Sequence, residues 1–513
     1  MRSRLWALLL LAAAGCSRCG GRSAASAEEL LPAHPAGAVV TAPLGIVAQH
    51  LVALADRAGS LPGGEQLGEA RRGVTAQLGF DPLTREGLSS AGLDPERGAA
   101  VVLLDRQEWI ASLPVAKPDL FLQMVQRLLV ERGGFAPAAA QPRGAKIFER
   151  RGQRVGVAVV RGYGLLARTA DPGAAVDQVE TRPPEQTLAR DPGLQTARER
   201  LGARDFIAWV PGDSALPRRA LRGPLPGNAA VGTLTSERGT ATRLYVELPA
   251  EQATRAQAAL PGGGAALVEL LPADAPLRAR LGIAPARLLE SVRADPELAS
   301  LLDRLHGADA EAFASLAPGA AVSLGLASGA NIGQAVDYGL DWRRKSPFDT
   351  VQLVALAEVA DRPRLTRALE QIARALPELG ARVERTGEDF QVTYAAGRGA
   401  RFGLREIEGK PVAYLLGGPL RPEEIRRTPK ASNPESAVLY ADAGAAIRVD
   451  FGRLAASLRQ LPQNAYGTGP QSYVARSLVG QVIEPLRTVR LTLATEAFPD
   501  RMGGIVDVEL VAP

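Results

Sequence analysis

The chain is short of the side chains that most often carry chemistry. Its 513 residues include three histidines, two cysteines and 4% aromatics. His34, His50 and His306 stand far apart, and no His-Glu-x-x-His occurs, so the helical zinc-hydrolase pattern is excluded. With Cys16 and Cys19 as the only thiols, a four-ligand structural zinc centre lacks donors. A nucleophile elbow is missing as well, because Gly87-Leu88-Ser89-Ser90-Ala91-Gly92 fails the Gly-x-Ser-x-Gly spacing by one residue. Between Gly403 and Gly409-Lys410 lie five residues where a phosphate loop has four, and Pro411 stands in place of the Ser or Thr that would meet magnesium. Glu408-Gly409-Lys410 reads instead as a hairpin turn. Gly397-x-Gly399 has Phe402 where a dinucleotide fingerprint needs its third glycine. The expectation is a protein without catalytic residues, metal or cofactor, and not an enzyme.

Lysine is also scarce: five (Lys117, Lys146, Lys345, Lys410, Lys430) among 60 basic residues. The arginine excess accompanies an excess of Ala, Gly and Pro, as GC-rich coding produces, rather than marking a selected guanidinium surface. Net charge is +5, too little over this length for a nucleic-acid footprint. Few aromatics mean cores of Leu, Val, Ala and Ile, hence helices packed closely on sheets. At roughly 150 residues per domain, two to four domains are expected.

The longest apolar run, Leu5 to Ala14, is about half of what a spanning helix needs. Arg2 and Arg4 precede it and Gly15-Cys16 follow, which is the order of a secretory signal. Leu11-Ala12-Ala13-Ala14-Gly15-Cys16 resembles the lipobox of bacterial lipoproteins, with Ala13 where leucine is more usual. The resemblance implies cleavage between Gly15 and Cys16, lipid on the Cys16 sulfur, and a chain held to the membrane by that anchor. Ser17 in place of Asp after the cysteine implies sorting to the outer membrane, on its periplasmic or surface face. Cys16 and Cys19 spell C-x-x-C, but a lipidated sulfur leaves Cys19 alone, so neither redox motif nor disulfide is expected. Residues 1–15 are then a signal peptide and 16–29 a flexible tether.

The body reads as one unit used twice. Leu31-Pro32-Ala33 returns as Leu271-Pro272-Ala273, and Leu44-Gly45-Ile46 as Leu281-Gly282-Ile283. Gly98-Ala99-Ala100-Val101 returns as Gly319-Ala320-Ala321-Val322, Pro118-Asp119-Leu120 as Pro363-Arg364-Leu365, and Gly144-Ala145-Lys146-Ile147 as Gly380-Ala381-Arg382-Val383. Five matches in one order argue for duplication, with units at 30–260 and 265–513 and a seam at Pro261-Gly262-Gly263-Gly264. Each copy should run helix (44–58; 284–305), strand (99–104; 320–326), helix (119–132; 363–377), then alternating strands joined by short turns (145–168; 381–416). Further strands are expected at 206–210 and 437–440, long hairpins at 230–248 and 487–511, and extra helices near 450–460 and 472–485. The fold class is α+β: two tandem, duplicated units of antiparallel sheet with helices on one face. The arrangement resembles an exported bacterial family known only as a domain of unknown function, in which an opening Pro-Ala strand, a Leu-rich helix and repeated hairpins recur, as at 31–58 and 271–305. That resemblance carries no activity.

One link is enlarged in the second copy. Between Leu326 and Val351 it holds Tyr338, Trp342, Arg343, Arg344 and Lys345, where the first copy has Asp105 to Trp109. Aromatics beside arginine make it a candidate binding loop at 328–349. The functional expectation is an envelope lipoprotein with a binding or structural role, its partner an envelope protein or lipid. The alternative is a carrier of lipid or another hydrophobic ligand, and an unrecognised hydrolase ranks behind both.

Overall fold

The computed structural model describes residues 26–511 except 60, 62–63, 106, 140, 142–143, 215–224, 328–329, 331–346, 395–398, 426–438, 440–443 and 467–469. Gly15, Cys16, Cys19 and the loop residues Tyr338, Trp342, Arg343, Arg344 and Lys345 lie outside the described residues. The chain divides between Pro249 and Ala250 into two compact units, so the glycine cluster at 261–264 belongs inside the second.

In the first unit the order is β1 (Gly37–Thr41), α1 (Leu44–Ala58), α2 (Gly64–Leu78), α3 (Arg85–Ser90), β2 (Ala100–Leu103), β3 (Trp109–Pro114) and α4 (Pro118–Arg127). There follow β4 (Ala136–Pro137), β5 (Lys146–Arg150), β6 (Gln153–Val160), β7 (Tyr163–Arg168), α5 (Pro172–Thr181), α6 (Pro192–Leu201), β8 (Phe206–Val210), β9 (Ala229–Ser236) and β10 (Gly239–Glu247). The sequence dictates several of these locally. Asp171 and Asp191 each accept two first-turn amides, and each is followed by a proline pre-set for the first helical position. Hairpin turns fall at Arg151-Gly152 and Arg161-Gly162, where both residues have positive φ, as type I′ geometry requires.

The second unit runs α7 (Ala250–Ala259), α8 (Ala265–Val268), β11 (Leu277–Leu281), α9 (Pro285–Arg293), α10 (Pro296–Asp303), α11 (Ala308–Ala314), β12 (Leu316–Leu326), β13 (Val351–Val359) and α12 (Arg362–Ala375). It continues with β14 (Ala381–Thr386), β15 (Asp389–Tyr394), β16 (Ala400–Ile407), β17 (Lys410–Gly417), β18 (Ala445–Asp450), α13 (Phe451–Arg459), α14 (Pro470–Leu478), β19 (Val489–Phe498) and β20 (Arg501–Leu510).

Every pairing within each unit is antiparallel, and the two strand orders are the same. The first is β4-β5-β6-β7-β3-β2-β1-β8-β9-β10. The second is β14-β15-β16-β17-β13-β12-β11-β18-β19-β20. Register repeats as well as order. Val40 pairs with Ala100 and Val39 with Val101, while Arg280 pairs with Ala321 and Ala279 with Val322. The Gly-Ala-Ala-Val match therefore holds residue by residue. Leu44-Gly45-Ile46 does not: Leu44 opens α1, whereas Leu281 closes β11. That match is compositional.

The α+β class holds, with helices packed on antiparallel sheets. In the first unit they cover both faces rather than one. Val101, Leu166, Val155 and Val157 meet α1, α3 and α4, and Val159 packs on the same cluster. Ala100, Val102, Leu165 and Ala167 meet α5, α6 and the segment Leu30-Leu31. Three further expectations are corrected. The helix at 284–305 is broken at Asp295-Pro296 into α9 and α10, because proline cannot donate into the preceding turn. The counterpart of β8 is not at 437–440, where Leu439 is a buried turn residue and the others lie outside the described residues. It is β18, which runs directly into α13; Asp450 ends the strand and caps the helix by accepting the Arg453 amide at 3.0 Å. Finally, the tether expected to reach residue 29 is already folded at Ala27–Leu30, a 3-10 turn whose Glu28 is buried against Arg198.

Candidate functional site

Side chains on a strand alternate between faces, so cross-strand partners line up in rows on one face. In the second unit one such row reads Phe402, Leu415, Ala355, Val322, Ala279, Ile447, Leu493, Val506 across eight strands. Beside it runs Leu404, Ala413, Ala357, Ala320, Leu281, Ala445, Thr495, Gly504. On its other side runs Ala400, Gly417, Leu353, Leu324, Leu277, Val449, Leu491, Val508. No charge interrupts these three rows, and Thr495 is their one polar side chain.

Among the described residues, α12 closes one end of this face. The Phe390 and Phe402 rings stack at 5.1 Å under Leu369, Ile372 and Ala373 of α12. Away from Phe402, which is 9% exposed, the large side chains of the same row are more open, Leu415 37%, Ile447 38% and Leu493 41%, while Ala279 between them stays buried. Met502 on β20 is likewise exposed. The helix α9, which packs on α11, has no buried residue although Leu288, Leu289 and Val292 give it an apolar side. In the first unit the equivalent row is Val157, Leu166, Ala111, Val101, Val39, Ala208, Val231, Leu244. There Leu166, the counterpart of Leu415, is 5% exposed beneath the α1–α4 layer. At that position the sheet face is thus covered in the first unit and more than a third exposed in the second.

The opposite face of the second sheet carries the charge. Arg280 is buried and donates to the carbonyls of Leu439 (3.0 Å) and Gly444 (2.7 Å). Arg448 is buried 3.4 Å from Glu509. Burial pushes the Asp507 carboxyl up, and the Arg448 charge opposes that only in part. These charged groups lie on the face that also holds the buried apolar core of the unit, among them Ala321, Val354, Leu356 and Leu416.

A second concavity belongs to the first unit. A groove of about 590 Å³ lies between α4 and the edge formed by β5 and β6, lined mainly by apolar side chains including Leu122, Ile147, Phe148, Val157 and Val159. Its size is within the usual range for small-ligand sites.

The histidines are not brought together. His50 Nδ1 is 2.9 Å from Asp205, His34 is 3.5 Å from Asp191, and His306 lies at 4.0 Å from Glu378. Ser89 and Ser90 sit on α3, where Ser90 donates back to the Gly87 carbonyl. Glu408-Gly409 is a type I′ hairpin turn between β16 and β17, both residues having positive φ. Among the described residues no group of three His, Cys, Asp or Glu side chains is placed to hold a metal, and no helix is long and apolar enough to cross a membrane. The apolar rows escaped the reading of the sequence. Their signal was present in Leu277-Arg278-Ala279-Arg280-Leu281, which alternates cleanly, but alternation does not say which side meets water.

No family model matches the chain, and no curated protein does. Two crystal forms of a protein named TP0453 align at low similarity. Crystal form III gives a TM-score of 0.27 and 10% identity over 46% of this chain and 88% of that one. Crystal form I gives 0.26 and 10% over 47% and 88%. Likeness at that level carries no argument about this chain.

Proposed function

We propose that this is a lipid-anchored protein of the bacterial envelope, tethered through Cys16 to the outer membrane, that binds rather than catalyses. We further propose that its ligand is apolar, of the acyl-chain class, and is received on the open sheet face of the second unit. The supporting observation is the row from Leu415 to Leu493: contiguous, uncharged and more than a third exposed at three of its side chains. Exposed apolar area costs roughly 25 cal/mol per Å² relative to burial, so a face of this kind is stabilised by whatever covers it. Lipid chains demand little more than uncharged surface, which the three rows supply.

Titration of the purified chain with the fluorescent fatty acid cis-parinaric acid tests the assignment. Saturable binding is expected, weakened about tenfold or more in Leu493→Lys, since burying an unpaired ammonium against a chain is costly. Val159→Lys, in the groove of the first unit, is expected to bind as the unsubstituted chain does. Loss in Val159→Lys with retention in Leu493→Lys would move the site to the groove, and no saturable binding at all would end the acyl-chain reading. The anchor has its own check: the mass of the amino-terminal peptide should show acyl chains on Cys16 and no residue before it.

A further inference from the structure

The described residues begin at Ser26, ten positions after Cys16. Entry into the first unit is fixed from there. The 3-10 turn Ala27–Leu30 packs on β3, and Ala27 is buried. Glu28 is paired with Arg198, and Arg182 donates to the Leu30 carbonyl at 3.0 Å. From β3 the sheet continues through β7 to β6 and then β5. With neighbouring strands roughly 4.8 Å apart, β6 lies about 10 Å and β5 about 15 Å from that entry point. The groove of about 590 Å³ is at this edge of the sheet, and Ala27 belongs to the same buried cluster as its residues Ala138, Ala145, Ile147 and Ala158. Ten residues span at most roughly 35 Å. A group carried on Cys16 therefore reaches the groove with length to spare.

The groove suits a hydrocarbon. Where β4 stops, the Gln141 side chain takes the place of a strand. It donates to the carbonyls of Ala138 and Ile147, at 2.7 and 3.1 Å, and accepts the Ile147 amide at 2.8 Å. The edge at Ile147 thus turns no unmet backbone group towards a ligand. Among the described residues no carboxylate lines the groove, and Gln126 and Lys146 are its other polar side chains. Its volume is that of a site for a single ligand.

We propose that this groove receives one acyl chain of the lipid on Cys16, so that the anchored protein holds part of its own lipid outside the bilayer and away from water. The inference rests on the anchor at Cys16 and deepens that reading. So short a link keeps the chain near the groove at an effective concentration of about millimolar, which favours it over a free ligand of equal affinity.

Photocross-linking of the full chain tests this. Cells expressing it are fed a palmitic acid bearing a diazirine, and the purified chain is irradiated in vesicles of phosphatidylethanolamine and phosphatidylglycerol. Mass analysis should find the amino-terminal peptide joined through its acyl chain to peptides within residues 122–159. The yield should fall about tenfold in Val159→Lys and in Leu122→Lys, because an ammonium set among apolar side chains excludes a hydrocarbon. Both residues are half-buried, and an unchanged melting temperature shows that the fold survives. In a mixture of isotopically heavy and light chains, linked peptides should come from one copy, and mixed pairs at equal frequency would assign the groove to a second copy's lipid and overturn the proposal. An amino-terminal peptide without acyl chains would end the anchor reading and this inference together. Acylated Cys16 whose cross-links fall outside 122–159, or persist undiminished in both variants, overturns this inference alone.

Discussion

Arg280 holds, in the second unit, the strand position that Val40 holds in the first, and both are buried. A buried guanidinium is tolerable because its donors find the carbonyls of Leu439 and Gly444. Each carbonyl left without a donor would cost about 1–3 kcal/mol. Asp507 shows the opposite balance, its carboxyl raised by burial against the pull of Arg448. A group whose folded pKa lies above its unfolded one stabilises below the unfolded value, near 3.9, and loses that contribution as pH rises through the folded value. Asp507→Asn should therefore raise the urea midpoint at pH 7 relative to the unsubstituted chain, with the gain shrinking as pH falls toward 4. A gain independent of pH would contradict this account. None of it was legible in the sequence, because Arg, Asp and Glu on strands read as solvent-facing until their partners are known.

Among the elements, the hairpins were the most legible. β5 to β7 and β14 to β17 lie close to where alternation and turn residues put them, since a type I′ turn needs positive φ at adjacent residues and Arg-Gly or Glu-Gly supplies it. Helices were legible too: α1 and α12 lie within two residues of expectation, α12 with Asp361 as its cap. Elements defined by partners were not. β18 is short and rich in alanine, and only its pairing with β11 and β19 makes it a strand. β3 and β13, in the middle of their sheets, likewise carry no turn or period that marks them out. Packing between elements sets tight tolerances. Gly164 on β7 passes so close to the fully buried Phe121 of α4 that a Cβ would lie 2.1 Å from its ring. Gly164→Ala should cost about 1–3 kcal/mol by overpacking, measured by denaturant unfolding. A cost within error of zero would mean that α4 moves aside freely.

At the scale of the whole molecule, each unit pairs ten antiparallel strands among themselves around its own core, so a cut between Pro249 and Ala250 should leave both parts able to fold. Expressed separately, residues 26–249 and 250–513 are expected to give cooperative thermal transitions, and a non-cooperative melt of either would show that duplication does not confer independence. The duplication itself was written in the sequence, because a repeated fold leaves repeated segments at offsets that only loop lengths disturb. So were the paucity of catalytic side chains, the α+β class, and the apolar run ending at Gly15-Cys16 on which the proposed anchoring rests. All of these are carried by local pattern. The sheet orders, the arginines buried within an apolar core, and the exposure of Leu415, Ile447 and Leu493 are not local. They depend on which residues far apart in the chain become neighbours, and a strand's alternation is the same whichever of its two faces the rest of the molecule chooses to cover.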